Sequence, residues 1–275
     1  MSRNDKPFKI LLTNDDGIFA EGLLALHRTL ARHHDVTVVA PDRERSAVGH
    51  GITLQHPLRA LEVPVNGSAK GWAVSGTPAD CVKLAILELL KERPDIVISG
   101  INSGANVGIN LNYSGTVAAA KEAAMYGVQS MAVSIQANPM PSYDAAAAFV
   151  AHLSPKMVAN PLPPGTFLNI NFPSLPADQA SGVCVSRQSA DLYDEYFEKR
   201  LDPRERTYYW QGSVSEPRYS HQDADGAALL DNYISITPVQ CDMTDYRALE
   251  QIRQWDFGNG YRRFKGDASR TDDDG

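Results

Sequence analysis

Short apolar runs alternate with amphipathic stretches through the first 160 residues of the chain. Their spacing predicts strands at 9–12, 36–39, 96–99 and 131–134, and helices at 22–33, 79–91, 116–126 and 143–157. The predicted strands are almost continuously apolar, which is typical of a mainly parallel sheet with helices on both faces. The predicted fold class is therefore α/β, doubly wound, with right-handed crossovers.

The pattern changes after the proline-rich segment 160–165. Strands are predicted at 167–171, 183–186, 208–210 and 233–237, joined by long polar loops and followed by a helix at 244–255. We predict a core domain at 1–160, a C-terminal α+β extension at 161–266 and a disordered tail at 267–275. The charged and aromatic segment 191–206 is expected to be a mobile flap or an arm packed on a partner subunit.

The composition is that of an ordinary globular protein, with 43% hydrophobic and 21% charged residues among 275. The polar N-terminus lacks the apolar stretch of a secretory signal, and no segment is apolar enough to span a bilayer. The three cysteines are widely separated and form no CxxC motif, which favours a reducing compartment over disulfides or zinc. We therefore expect a cytoplasmic protein without a membrane segment.

The formal net charge of −7 argues against long nucleic acid as a partner, because the summed field repels a polyanion. A single small phosphate is a different case. A metal ion and a few aligned N–H groups can overcome an unfavourable global charge.

Two adjacent carboxylates, Asp15 and Asp16, directly follow the first predicted strand and precede Gly17, which suits a sharp turn. Two buried like charges are costly unless a cation neutralises them, and a hard divalent ion with oxygen ligands is the usual solution. Taken alone, however, Asp-Asp-Gly is more often a plain turn.

Two further segments bring polar side chains to the same predicted edge of the sheet. The loop after the second strand carries Ser46 and His50, and the latter is either a catalytic acid or base or a hydrogen-bonded bystander. The run that begins at 96 ends in glycines and amides, among them Asn102 and Asn106.

A helix is predicted to begin near Ser114 or Thr116, and its first N–H groups and positive dipole end suit one phosphate. The alternative is that these side chains merely cap the helix. Because ligands of such sheets bind beyond the carboxyl ends of the strands, all these segments together predict a site for magnesium or manganese beside a phosphate.

Several long motifs resemble the SurE family, whose members are known as stationary-phase survival proteins and 5'/3'-nucleotidases. The matching motifs are ILLTNDDGIFAEGL, VVAPDRERSAVGHGIT, VSGTPADCVKLA, PDIVISGINSGANVG and YSGTVAAAKEAAMYG. The later motifs LNINFPSLP and YISITPVQCDMTD are also similar to that family, so the resemblance covers nearly the whole chain.

The resemblance implies a Rossmann-like domain and a metal-dependent phosphatase that acts on nucleoside monophosphates. It also implies a homodimer or homotetramer assembled through the C-terminal arm. By motif position, one divalent metal ion per subunit, manganese or magnesium, would be held by Asp15, Asp16, Ser46 and Asn102. The phosphate would be held by Asn106, Ser114, Gly115 and Thr116.

The chain departs from the family pattern at two places. Ala20-Glu21-Gly22 stands where the family usually has Ala-Pro-Gly, which adds a negative charge near the site. A later Gly-Thr-Asp appears as Asp223-Ala224-Asp225, so that only Asp225 carries over.

The mechanism that we expect is attack on phosphorus by a metal-activated water, with Asp15 and Asp16 as the catalytic carboxylates. A phosphoaspartate formed on Asp15 is the alternative. Two other functions use the same features: hydrolysis of polyphosphate or other phosphoanhydrides, and non-catalytic binding of nucleotides by a regulator. The intact acidic pair argues against the regulator.

Overall fold

The computed structural model describes residues 7–67, 69–136, 143–175, 179–191, 195–213, 219–255 and 257–258. Its strands are β1 Lys9–Thr13, β2 Asp35–Pro41, β3 Ala60–Asn66, β4 Ala69–Val74, β5 Ile96–Ser103, β6 Gln129–Ile135, β7 Thr166–Phe172, β8 Gly182–Val185, β9 Glu195–Leu201, β10 Thr207–Ser213 and β11 Tyr233–Gln240. The α-helices are α1 Glu21–Leu30, α2 Pro78–Leu84, α3 Gly115–Met125, α4 Tyr143–Ala159, α5 Asp225–Leu230 and α6 Tyr246–Arg253. A π-helical turn, Ala85–Leu89, continues α2, and a 3-10 turn, Gly108–Asn112, precedes α3.

Nine strands form one sheet in the order β3-β4-β2-β1-β5-β6-β7-β11-β8. β1 lies between β2 and β5 and is parallel to both, whereas β3 and β11 run antiparallel to neighbours. This confirms the prediction of an α/β fold with a mainly parallel sheet. The chain builds outward from β1 through β2 and then returns to the other side of β1 with β5, so a topological switch point lies between β1 and β5.

Helices cover both faces of the sheet, as the apolar strands predict. Ile10 and Leu12 of β1 pack into a cluster that includes side chains of α1 and α4. Leu11 points to the opposite face, into a cluster with Val82 of α2 and Ala119 of α3. Because successive side chains of a strand alternate between faces, the buried strand β1 contributes to both cores.

Several elements differ from the sequence-based expectations. β3, β4, β9 and α5 were not predicted, and the helix expected at 79–91 is α-helical only to Leu84. β9 lies within the segment 191–206, which was expected to be a flap or an arm, and it forms a separate antiparallel pair with β10, which follows that segment.

The C-terminal half contributes strands to the same sheet, because β7 pairs with β6 and β11 pairs with β7. One compact unit extends to Cys241, and a second begins at Asp242 and contains α6. The domain division between residues 160 and 161 stays a prediction. The predicted disordered tail, 267–275, lies outside the described residues. Over the ranges given above, no helix has the length and apolar content needed to cross a bilayer.

Candidate active site

A tight turn at the carboxyl end of β1 presents the two adjacent carboxylates. Asn14 Nδ2 donates to the carbonyl oxygen of Gly17 at 2.9 Å, and Gly17 N donates to Asn14 Oδ1 at 3.2 Å. Gly17 has a φ of 102°, which side chains with a Cβ rarely adopt. The buried Asn14 and the glycine therefore fix the turn that carries Asp15 and Asp16.

The carboxylate of Asp15 faces the N-terminus of α3. It accepts hydrogen bonds from the hydroxyl and the backbone N–H of Thr116, and its side chain is only 5% exposed. A Cβ on Gly115 would lie 2.7 Å from Asp15 Cβ, so this approach requires glycine. Burial raises the pKa of Asp15, and the hydrogen bonds from Thr116 oppose that shift.

Asp16 is half-buried beside Asp15, and its pKa is raised to about 6. Burial is the largest cause, and the charges of Asp15 and Glu44 add to it, while the backbone N–H of Ser103 acts in the opposite direction. When both groups are ionised, their mutual repulsion adds to the cost of burying them. A cation between them would relieve it.

Ser46 lies in a loop that packs directly on this turn. Arg45 N donates to the carbonyl oxygen of Asp15 at 2.7 Å, and a Cβ on Gly17 would lie 3.2 Å from the carbonyl carbon of Arg43. The Ser46 hydroxyl is exposed and donates to Glu44 Oε1 at 2.6 Å. The backbone thus brings Ser46 close to Asp15, although its hydroxyl is hydrogen-bonded to Glu44.

Asn102 reaches the same region from the end of β5, on the other side of β1 from the Ser46 loop. Its Nδ2 donates to the carbonyl oxygen of Gly104 at 2.7 Å, which leaves Oδ1 as the atom able to coordinate a cation. The next residue, Ser103, donates its N–H to Asp16. Asn102 and the acidic pair are therefore neighbours across the switch point of the sheet.

The four residues expected to hold phosphate occupy two adjoining segments. Asn106 is 9% exposed, and its Nδ2 donates to Ser134 Oγ at 2.9 Å. Ser114 is the N-cap of α3, where its hydroxyl accepts from Val117 N at 3.2 Å. The capping interpretation thus applies to Ser114, whereas the hydroxyl of Thr116 is directed at Asp15.

His50 pairs with a carboxylate on α3. Its Nε2 lies 2.6 Å from Oε2 of Glu122, which is 5% exposed. Gly49 N also donates to the carbonyl oxygen of Tyr113 at 3.0 Å. These contacts connect the loop that carries Ser46 to the segment that leads into α3.

The donors at this edge of the sheet suit a hard divalent cation. They are two carboxylates with raised pKa values, a serine hydroxyl and an asparagine amide oxygen, all of which are oxygen ligands. No set of three His, Cys, Asp or Glu side chains spaced for a metal occurs in the described parts of the chain. The donor set therefore fits a site that combines two carboxylates with neutral oxygens.

Comparison with known proteins identifies the family. A family model described as survival protein SurE matches residues 10–195, more than half of the chain. The chain belongs to the SurE family. A protein named 5'-nucleotidase SurE from Desulfatibacillum aliphaticivorans is 53% identical over 247 residues, which cover 90% of this chain and 97% of that protein. A 5'-nucleotidase SurE from Syntrophobacter fumaroxidans is 48% identical over 90% of this chain and 100% of its own length.

A solved SurE structure has the same fold. The crystal structure of the SurE protein from Aquifex aeolicus is 35% identical and superposes with a TM-score of 0.78, covering 89% of this chain and 98% of that one. The family resemblance stated from the motifs is therefore confirmed.

Two charged residues of this SurE family member act near the site without having been predicted to do so. Glu44 raises the pKa of both Asp15 and Asp16 and accepts from Ser46, but in the sequence it is one charge of a charged loop. Asp225 accepts from the backbone of Gly108, two residues after Asn106. Its place in the family's Gly-Thr-Asp motif was the only sequence signal for it.

Proposed function

We propose that this protein is a metal-dependent 5'-nucleotidase that hydrolyses nucleoside monophosphates to nucleoside and phosphate. The observation that carries the proposal is the contact between Asp15 and the first turn of α3, because it joins the acidic pair to a helix N-terminus suited to an anion. The names of the SurE relatives support the same activity.

One divalent ion, magnesium or manganese, would be held by Asp15, Asp16, Ser46 and Asn102. The raised pKa values of the two aspartates support this ligand set, since a bound cation offsets both their burial and their mutual repulsion. When bound, such an ion polarises a phosphoryl oxygen and lowers the pKa of a coordinated water. The Ser46 hydroxyl donates its proton to Glu44, which leaves the lone pairs of its oxygen available to the ion.

Asn106, Ser114, Gly115 and Thr116 would hold the phosphate. Their contribution comes from the position of α3, because its positive dipole end stabilises negative charge on the phosphoryl oxygens. Ser114 preserves the helix start by capping Val117 N. The missing side chain of Gly115 lets the helix end approach Asp15 closely.

Asp15 and Asp16 are proposed as the catalytic carboxylates, and their environments suit different tasks. Asp15 is buried and fixed by Thr116, so it orients the groups around it. Asp16 is the more accessible of the two, so it is placed to accept a proton from the attacking water.

The test is phosphate release from a panel of nucleoside monophosphates in the presence of manganese, magnesium or a chelator. Asp15→Asn is expected to abolish metal-dependent release, because it removes a carboxylate ligand. Asp35→Asn is the matched control, since Asp35 is an exposed aspartate at the opposite end of the sheet. Release that persists in both the chelator and the Asp15→Asn variant would refute the proposed site.

The same panel should include a short polyphosphate, because phosphoanhydride hydrolysis would use a similar metal and anion site. The relatives are named nucleotidases, which favours the monoester reaction over this alternative and over a non-catalytic regulator. Release from polyphosphate but from no nucleoside monophosphate would overturn this assignment of substrate.

The protein is further proposed to be a cytoplasmic homodimer or homotetramer assembled through its C-terminal arm. The β9–β10 pair supports this assembly, because it exposes Phe197, Tyr209 and Trp210, each at least 59% exposed. Exposed aromatic residues are typical of protein interfaces. The three unpaired cysteines support a reducing compartment.

A further inference from the structure

A buried carboxylate outside the acidic pair is hydrogen-bonded to the loop that leads to α3. Asp225, the first residue of α5, is 0% exposed. Its Oδ2 accepts from Gly108 N at 2.8 Å, and its Oδ1 accepts from Ser189 N at 3.1 Å and Gly226 N at 2.9 Å. All three partners are backbone N–H groups, so the carboxylate fixes main-chain positions in three segments of the chain.

Gly108 is held on both of its polar groups. Its N–H donates to Asp225, and its carbonyl oxygen accepts from Gln188 Nε2 at 2.8 Å. Its φ of 58° lies in the left-handed region, which the chain enters here to begin the 3-10 turn Gly108–Asn112. That turn leads within a few residues to Ser114, the N-cap of α3.

The residue two positions earlier, Asn106, is fixed independently from β7. Its N–H donates to Asn171 Oδ1 at 2.8 Å, and its carbonyl oxygen accepts from the side-chain amides of Asn169 and Asn171. The loop between β5 and α3 is therefore tied at two points, Asn106 and Gly108, to parts of the chain beyond residue 165.

We propose that Asp225 is a positioning residue for nucleotidase activity, whose buried carboxylate fixes Gly108 and so aligns the start of α3 with the phosphate. This inference rests on the proposed function. It assigns to Asp225 no contact with substrate or metal.

The variant Asp225→Asn tests the role of Gly108 specifically. An amide keeps one acceptor oxygen and replaces the other with a donor. If its oxygen stays with Ser189 and Gly226, two of the three hydrogen bonds survive, whereas the opposite orientation keeps only one. The variant is therefore expected to place its NH₂ group against Gly108 N and displace the loop there.

Hydrogen exchange gives a readout that does not depend on turnover. In Asp225→Asn, the amides of residues 107–113 are expected to exchange faster, while those of β1 and β5 keep their protection. Asp231→Asn is the matched control, since Asp231 is an exposed aspartate at the other end of α5. It is expected to leave both regions unchanged.

Kinetics and phosphate binding give the second readout. Displacement of a positioning loop by about 1 Å can lower turnover by about 100-fold. We expect Asp225→Asn to lose about 10- to 100-fold in kcat/KM and to bind inorganic phosphate correspondingly more weakly, with manganese affinity within about twofold of wild type. Gln188→Ala, which releases the carbonyl of Gly108, should change the same quantities in the same direction.

The outcomes separate the possible explanations. Wild-type kinetics, phosphate affinity and loop protection in Asp225→Asn would overturn the proposal, as would a loss of protection spread evenly over β1 and β5, which indicates a purely structural role. Absence of nucleotide hydrolysis in the wild-type protein would instead refute the proposed function. In that case, faster hydrogen exchange confined to the loop before α3, together with weaker phosphate binding in the variant, would still support Asp225 as the anchor of the anion site.

Discussion

The contact between Gly115 and Asp15 gives the sharpest test of the site, because a single methyl group is enough to disturb it. In Gly115→Ala the new Cβ would lie 2.7 Å from Asp15 Cβ. Carbon atoms in ordinary contact are about 3.5–4.0 Å apart, so the two groups must separate by about 1 Å. Asp15 belongs to the turn that ends the central strand β1 and is bonded to Arg45 N, and we therefore expect the start of α3 to move.

Activity and stability should respond differently to this change. A misplacement of about 1 Å in a catalytic site can cost about 100-fold in rate, and we expect a loss of that order in kcat/KM. Overpacking costs about 1–3 kcal/mol. Alanine is favoured over glycine in a helix by up to about 1 kcal/mol. The free energy of unfolding should therefore fall by only about 0–2 kcal/mol.

The assay is steady-state phosphate release from AMP at saturating manganese, with the melting temperature measured on the same samples. Gly51→Ala is the control, because Gly51 is exposed and its new Cβ would meet only the carbonyl oxygen of Val48 at 3.3 Å. That variant should keep wild-type kinetics. A Gly115→Ala protein with kcat/KM within twofold of wild type would refute the argument that the reaction depends on this close approach.

Two further predictions concern pH and capping. In the metal-free protein the pKa of Asp16 is raised from 3.8 to about 6, so the folded state retains a proton that the unfolded state releases. The contribution of this proton to the free energy of unfolding is fully present below about pH 4 and is lost as the pH rises through about 6. The melting temperature of Asp16→Asn should thus exceed that of wild type by more at neutral pH than at pH 4, and an equal difference at both would contradict the shift. Ser114→Ala should lower the free energy of unfolding by about 1 kcal/mol, because Val117 N loses its acceptor. Ser114→Asn is the control, since asparagine can also cap the helix. Equal melting temperatures for the two variants would contradict a stabilising role of this cap.

The central sheet was predictable because its strands are buried on both faces and read as apolar runs. The elements that were missed lie where this signal is absent. β3 is an edge strand with several exposed residues, and Pro64 within it argues against a strand except at an edge. β9 is exposed at every position and rich in charge, so no burial pattern marks it.

The carboxyl ends of the strands located the site, whereas the hydrogen bonds within it could not be predicted. The sequence indicates that Asp15 and Thr116 approach one sheet edge, but not that the hydroxyl of Thr116 donates to Asp15. It likewise indicates Ser46 as a ligand, but not that Glu44 accepts its hydroxyl. Such pairings depend on the fold of loops, which periodicity does not describe.

The anion half of the site depends on residues from both halves of the chain. The metal ligands that we propose lie in or just after β1, β2 and β5, all of which come from the first 103 residues. The segment that leads into α3 is instead held by Asn169 and Asn171 of β7 and by Asp225 of α5. These anchors bind the backbone of the loop, so substitutions of loop side chains can leave its backbone conformation unchanged. A substitution at Asp225 alters that conformation directly. Phosphate binding should therefore depend on the C-terminal half of the chain as well as on the motifs that carry the ligands.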